Sequence, residues 1–203
     1  MNGSRTRQEY FEELSGRWDG FTDGERVKGA LRDVLSMVPI KPDEHVVDLG
    51  CGTGNLTSVL LEFLGPSGIV AAVDFSRAML EVARGKIPDH RVRWVVADAA
   101  GLPLDNESAD RIVCFSAWPH FPQPAAVARE LLRVLRPGGV LHIVHIDSRG
   151  KVDAIHGGVG GAIGQDHLPP AHVVAQMLTS VGFSVFEQID SETEYRIRAG
   201  KVA

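Results

Sequence analysis

A doubly wound α/β domain is the fold this sequence predicts. Five short apolar runs, His45 to Leu49, Ile69 to Val73, Val92 to Val96, Arg111 to Phe115 and Val140 to Ile146, alternate with helix-like stretches. Apolar strands separated by helices form a parallel sheet covered on both faces. The length of 203 residues suits one domain of this kind. With 44% hydrophobic and 23% charged residues, the chain can build a core and is neither disordered nor coiled coil as a whole.

Each element has a local cause. The N-terminal stretch has helical spacing at Tyr10, Phe11 and Leu14 and again at Val27, Ala30, Leu31, Val34 and Leu35, and Pro39 and Pro42 break it. The first strand stops at a glycine cluster and passes into LTSVLLEFL, a helix too apolar for a solvent-facing surface. After the second strand, Ser76 is placed to cap a helix carrying Met79, Leu80, Val82 and Ala83. Val127, Leu131, Val134 and Leu135 fall at i, i+4, i+7 and i+8, and Pro137-Gly138-Gly139 is read as that helix's stop. A last helix spans about Ala171 to Val181. Phe183 to Gln188 and Tyr195 to Arg198 then follow with no helix between them, which predicts a terminal antiparallel hairpin.

Charge and cysteine usage exclude several classes. Asp plus Glu is 26 against 21 for Lys plus Arg, a net charge of -5, the wrong sign for a chain that grips nucleic acid. Cys51 and Cys114 are the two cysteines, too few for a disulfide framework or a Cys-rich zinc module. The polar N-terminus lacks a signal-type segment and no window reaches the length of a membrane span, so a cytoplasmic protein without membrane insertion is expected.

Ligands of doubly wound sheets bind outside the carboxyl ends of the strands. The first such end reads VVDLGCGTGN, with Gly50, Gly52 and Gly54 at alternate positions. Glycines there permit positive φ and let a ligand approach the backbone. The spacing is GxGxG; a nicotinamide fingerprint would need its last glycine at Asn55. Asp48 just before the loop would repel a pyrophosphate and attract a cation. Asp74 closes the second strand, 20 residues past Gly54, where an acid can accept from ribose hydroxyls or merely cap a helix. Asp98 closes the third, with the choice between an adenine amino group and a turn cap left open.

In combination, VVDLGCGTGN, VAAVDFSRAML, VVADAAGLPLDNESADRIVC and LLRVLRPGGVLHIV resemble the successive signature segments of class I S-adenosylmethionine-dependent methyltransferases, and most of all the ubiquinone/menaquinone-biosynthesis-like group of small-molecule enzymes. The resemblance covers about residues 40–146. It implies a Rossmann-like, seven-stranded, mostly parallel sheet with strand 7 antiparallel, and S-adenosylmethionine as methyl donor. By this resemblance Asp48 and the backbone at Gly50, Cys51 and Gly52 hold the methionine moiety, Asp74 the ribose, Phe75 and Met79 the adenine faces, and Asp98 with Ala99 the adenine edge. Phe115, Ser116 and Ala117 line the region near the sulfonium, Thr53, Gly54 and Ser76 complete the set, and Tyr10, Phe11 and Trp18 in YFEELSGRWD belong to an N-terminal lid. The single domain then divides into a helical lid (1–38), a cofactor-binding core (39–146), a glycine-rich acceptor-side loop (147–170) and a terminal helix and hairpin (171–203).

Methyl transfer is an in-line displacement that needs a base only if the acceptor must lose a proton. The candidates are His120, after the fourth strand, and His145, at the end of the fifth; either is equally readable as a structural histidine. His142 and His145 are three apart on a strand, hence on opposite faces, and form no metal pair. No tight ligand spacing supports a metal at His120, His145, His156 and His167, and none is expected. Gly150, Gly157, Gly158, Gly160, Gly161 and Gly164 mark a segment read as a mobile flap over the acceptor. FSAWPH stands where base-methylating enzymes carry an Asn/Asp-Pro-Pro-Tyr segment, so the expected partner is a small-molecule acceptor and not nucleic acid. A nicotinamide-dependent oxidoreductase and a non-catalytic cofactor-binding regulator are the competing readings.

Overall fold

The computed structural model describes residues 6–21, 23–159 and 161–202. Gly160 of the second glycine cluster and residues 1–5 lie outside them. Among the described residues, two N-terminal helices, α1 (Arg7–Leu14) and α2 (Gly24–Ser36), flank a 3₁₀ segment at Ser15–Phe21. The alternating core follows: β1 (His45–Leu49), α3 (Asn55–Phe63), β2 (Ile69–Asp74), α4 (Arg77–Lys86), β3 (Val92–Val96), β4 (Ala109–Phe115), a 3₁₀ turn at Trp118–His120, α5 (Pro124–Val134) and β5 (Leu135–His145). The chain ends with α6 (Arg149–Val159), α7 (Ala171–Val181), β6 (Phe183–Asp190) and β7 (Tyr195–Lys201).

The seven strands lie in the order β3-β2-β1-β4-β5-β7-β6. β1 to β5 are mutually parallel, and β7 runs antiparallel to both β5 and β6. Chain direction across the sheet reverses between β1 and β4, and such a switch point opens a crevice at the carboxyl ends of those strands.

Strand alternation divides the apolar residues between two cores. Val46, Val70, Ala72 and Val113 point to α2 and α3, where Val27, Leu31, Leu35, Leu56, Val59 and Leu60 meet them. Their neighbours Val47, Leu49, Ile112 and Cys114 point the other way, to Val127, Leu131 and Val134 of α5 and to Val174 and Leu178 of α7. Full burial of a side chain such as Leu131 contributes roughly 1.5–3 kcal/mol, which fixes the helices and with them the strand ends that carry the site.

Two segments depart from the sequence expectation. Residues 136–139 do not simply stop α5. The helix has already ended at Val134, and Leu135 opens β5, pairing with Ala109 before the register jumps to Val140 against Arg111. Gly139 fits because a Cβ there would come within 2.9 Å of Arg136 O and Leu135 Cδ2. Second, the glycine-rich segment after β5 holds a helix, α6, where a loop was expected. Gly150, Gly157 and Gly158 each cost about 1 kcal/mol relative to Ala in a helix, so local propensity reads as loop. Tertiary ties override it: His156 Nδ1 lies 2.7 Å from Asp166 O, and Asp153 accepts from Leu168 N at 2.8 Å.

Candidate functional site

The loop after β1 folds back over the end of β2, with Gly50 N and Cys51 N both donating to Val73 O at 2.8 and 2.9 Å. Gly50 has φ +72, and a Cβ there would lie 2.5 Å from the Ala117 Cβ, so the loop presses against the chain leaving β4. Gly54, at φ +89, serves differently. Its α-carbon faces Ile87 and Ala83 at the end of α4, with 2.7 Å between a built Cβ and Ile87 Cδ1, and it does not line the cavity. Here the glycine closes the packing of α3 on α4.

Above the loop lies a cavity of about 310 Å³ whose wall includes Asp48, Gly50, Cys51, Gly52, Thr53, Asp74, Phe75, Met79, Asp98, Ala99 and Phe115. Asp48 is 1% exposed. Thr57 Oγ1 donates to its Oδ2 at 2.5 Å, and its Oδ1 is buried without a hydrogen-bond partner. Burial pushes its pKa up to about 7, with the nearby Asp74 adding and Thr57 opposing. An uncompensated carboxylate in this setting calls for a positive charge.

Asp74 accepts from Gly52 N at 2.9 Å and from Ser76 N at 2.8 Å, so it ties the glycine loop to the start of α4 while still facing the cavity. Burial raises its pKa, and those backbone donors pull the other way. Ser76 caps α4 by accepting from Met79 N and does not line the cavity. Asp98 closes a turn by accepting from Ala100 N and is exposed at the cavity rim. Ser116, next to Phe115, holds φ +54, a region non-glycine residues rarely adopt and one that concentrates at functional sites.

The N-terminal segment covers this cavity. Phe11 packs its ring 5.6 Å from Phe75, 5.5 Å from Trp18 and 5.3 Å from His120. Phe11, Trp18 and Arg7 line the cavity; Tyr10 does not, and instead packs edge-on against Phe11. Polar links fasten the segment. Glu12 accepts from Arg77 N and Ala78 N at the start of α4, where a negative charge complements the helix dipole. Asp19 accepts from Thr53 Oγ1 and Lys86 Nζ, and Arg7 pairs with both oxygens of Asp166.

The two candidate bases sit differently. His120 lines the cavity and its Nδ1 is 2.9 Å from Asp166 Oδ2. His145 is buried away from the lining, edge-on to Tyr195 at 5.6 Å, with neither ring nitrogen hydrogen-bonded. Arg7 and Asp166 are the site residues that sequence reasoning did not single out as such, and nothing local signals their contact across 159 residues. A wider groove of about 510 Å³ between α7 and β6, lined by His172, Gln176, Phe186 and Glu187, has neither glycine turn nor buried carboxylate; both of those features lie on the smaller cavity. Among the described residues no group of three His, Cys, Asp or Glu side chains is placed to hold a metal ion, and no helix is long and apolar enough to cross a membrane.

The wall fits the cationic nucleoside implied by the sequence resemblance. It offers a buried carboxylate oxygen without a partner, acids at three strand ends and the aromatic rings of Phe11, Trp18 and Phe75. Residues 47–143 match a family model described as a methyltransferase domain. The chain is 30% identical over 183 residues, 90% of its length and 66% of the other's, to a malonyl-(acyl-carrier protein) O-methyltransferase of Marinomonas sp.. It is 43% identical over 118 residues, 56% of its length and 44% of the other's, to a trans-aconitate 2-methyltransferase of Azoarcus sp.. A solved Haloferax volcanii complex between the Trm112 methyltransferase activator and a methyltransferase superposes with TM-score 0.82 at 18% identity, covering 99% of this chain and 100% of that one, a likeness of fold. The chain spans 44 to 66% of the length of the first curated relatives it matches.

Proposed function

The chain belongs to the class I S-adenosylmethionine-dependent methyltransferase family, and from that premise we propose that it binds S-adenosylmethionine in the covered cavity and catalyses methyl transfer to a small-molecule acceptor. One observation carries this reading: the buried Asp48 Oδ1, left without a partner on the cavity wall. A carboxylate held at that cost selects a ligand that brings positive charge.

When bound, the sulfonium supplies an electrophilic methyl group and leaves as a neutral thioether. The chain's own residues bind, orient and exclude water. Asp48 and the backbone at Gly50, Cys51 and Gly52, with Thr53 and Gly54 shaping the turn, hold the methionine end. Asp74 takes the ribose hydroxyls with the lone pairs that Gly52 and Ser76 leave free. Phe75 and Met79 flank the adenine, and Asp98 with Ala99 reads its edge. Phe115 and Ser116 border the reacting region, while Phe11 and Trp18 close the cavity against water, which strengthens every electrostatic contact inside.

Two facts support a small acceptor. One curated relative named above carries a small molecule, trans-aconitate, in its name, and a net charge of -5 disfavours nucleic acid. The test is titration calorimetry with S-adenosylmethionine, S-adenosylhomocysteine and NADH. Binding of both sulfur nucleosides without NADH binding is expected, and failure of both to bind would refute the reading. A screen of small-molecule pools with labelled methyl donor then identifies the acceptor.

A further inference from the structure

We propose that His120 takes the proton of the acceptor and that Asp166, fixed by Arg7 of the covering helix, is the residue that positions it. This rests on the methyl-transfer reading above.

Asp166 follows the glycine-rich helix α6, and its side chain is 3% exposed. Burial would raise its pKa, but hydrogen bonds from His120 and Arg7 outweigh this and hold it down to about 2. An ionised carboxylate only accepts, so the hydrogen between it and His120 belongs to Nδ1, and the lone pair of the neutral ring lies on Nε2. The ring is held from several sides. His156 stands 4.8 Å away, tilted 49°, and is itself anchored to Asp166 O; Phe11 packs at 5.3 Å on the lid side. His120 is therefore a fixed imidazole on the cavity wall, oriented by a third group in the manner of an activated base.

The groups around it keep it in its basic form. Burial lowers the His120 pKa, the Asp166 hydrogen bond opposes, and His156 and Arg7 push it down further. His145, buried nearby, is lowered by its own burial to about 3 and adds no charge. The proton balance closes. As the acceptor atom X bonds to the methyl carbon, the X–H electron pair stays on X and the S–CH3 pair stays on sulfur. The proton moves to Nε2, and the resulting imidazolium faces the Asp166 carboxylate until it releases the proton to solvent.

The consequence is a substrate class. A carboxylate acceptor is ionised at neutral pH, needs no base and wants a cation. Among the described lining residues the lone permanent cation is Arg7, already paired with Asp166. The site instead suits an acceptor that enters with its proton on oxygen, nitrogen or an acidic carbon.

The test is NMR of the ligand-free protein labelled with ¹⁵N-histidine, the His120→Gln variant assigning the His120 signals by their loss. The expected result is the Nδ1–H tautomer at pH 7, a protonation midpoint below 6.5, and a still lower midpoint in Asp166→Asn. An Nε2–H tautomer, a ring charged at pH 7, or a midpoint unmoved by Asp166→Asn overturns the proposal. If Asp166→Asn does not fold, the wild-type tautomer decides. Calorimetry with S-adenosylhomocysteine on the same sample separates the two readings: binding with the wrong tautomer sinks only the His120 role, and absence of binding sinks methyl transfer itself.

Discussion

Thr57 in α3 donates its hydroxyl to one carboxylate oxygen of Asp48 at 2.5 Å, and the other oxygen is buried with no partner. Folding therefore raises the Asp48 pKa to about 7, chiefly through burial. The sign follows: an acid whose folded pKa lies above its unfolded value makes the unliganded protein lose stability as pH rises from about 4 through about 7. A cationic ligand needs the ionised form, so S-adenosylmethionine is expected to bind about tenfold more weakly at pH 6 than at pH 8. Asp48→Asn should stabilise the unliganded protein at pH 8 while weakening binding at least about tenfold. Calorimetry across that pH range checks both, and an affinity flat with pH argues against Asp48 as the charge partner.

Gly50 tests the loop's close approach. Gly50→Ala puts a Cβ 2.5 Å from that of Ala117 at a backbone φ of +72. The left-handed backbone costs roughly 1–2 kcal/mol and overpacking roughly 1–3 kcal/mol. Urea denaturation should show a combined loss of about 2–5 kcal/mol, and adding Ala117→Gly should recover only the steric part. Full recovery in the double variant would mean that the backbone conformation is free to change.

The covering segment can be tested at two adjacent residues. Phe11 lines the cavity and packs on Phe75, Trp18 and His120, whereas Tyr10 lies behind it. Each aromatic pair contributes about 0.5–1.5 kcal/mol. Phe11→Ala is thus expected to weaken S-adenosylhomocysteine binding by about tenfold or more, and Tyr10→Ala by less. The reverse order would place the lid differently over the cofactor.

His145 supplies a pH-dependent stability. Burial lowers its pKa to about 3, so the unfolded chain binds a proton that the folded chain refuses. Stability is present above the unfolded value near 6.5 and falls as pH drops through the interval down to about 3. Between pH 7 and pH 5 this group alone removes about 2 kcal/mol, to which His142, also lowered by burial and by Arg111, adds. His145→Leu should flatten that slope and, by removing unpartnered polar atoms, stabilise the protein at pH 7 by about 1–3 kcal/mol. Denaturation midpoints of both proteins at pH 5 and 7 decide it, and parallel slopes would reject the assignment.

Much of the fold was legible because periodicity and strand-end chemistry are local. The five parallel strands, the Ser76 cap and the terminal hairpin follow from residues within a few positions of one another. The glycine loop and the acids Asp48, Asp74 and Asp98 at successive strand ends were legible for the same reason, since a parallel sheet aligns those ends on one edge. The helical state of residues 149–159 was not, because three glycines argue locally against a helix that long-range contacts then stabilise.

The sequence by itself determined the doubly wound class, the glycine loop with acids at successive strand ends, and the resemblance to methyltransferases. Only the tertiary structure decided which face of each candidate does what: that Phe11 rather than Tyr10 meets the cavity, that Gly54 packs on Ile87, and that Arg7 and His120 converge on Asp166. The physical reason is one of range. Propensity, patterning and turn chemistry act over a few residues, whereas the orientation of a base and the closing of a lid depend on contacts between segments separated by 46 and 159 positions.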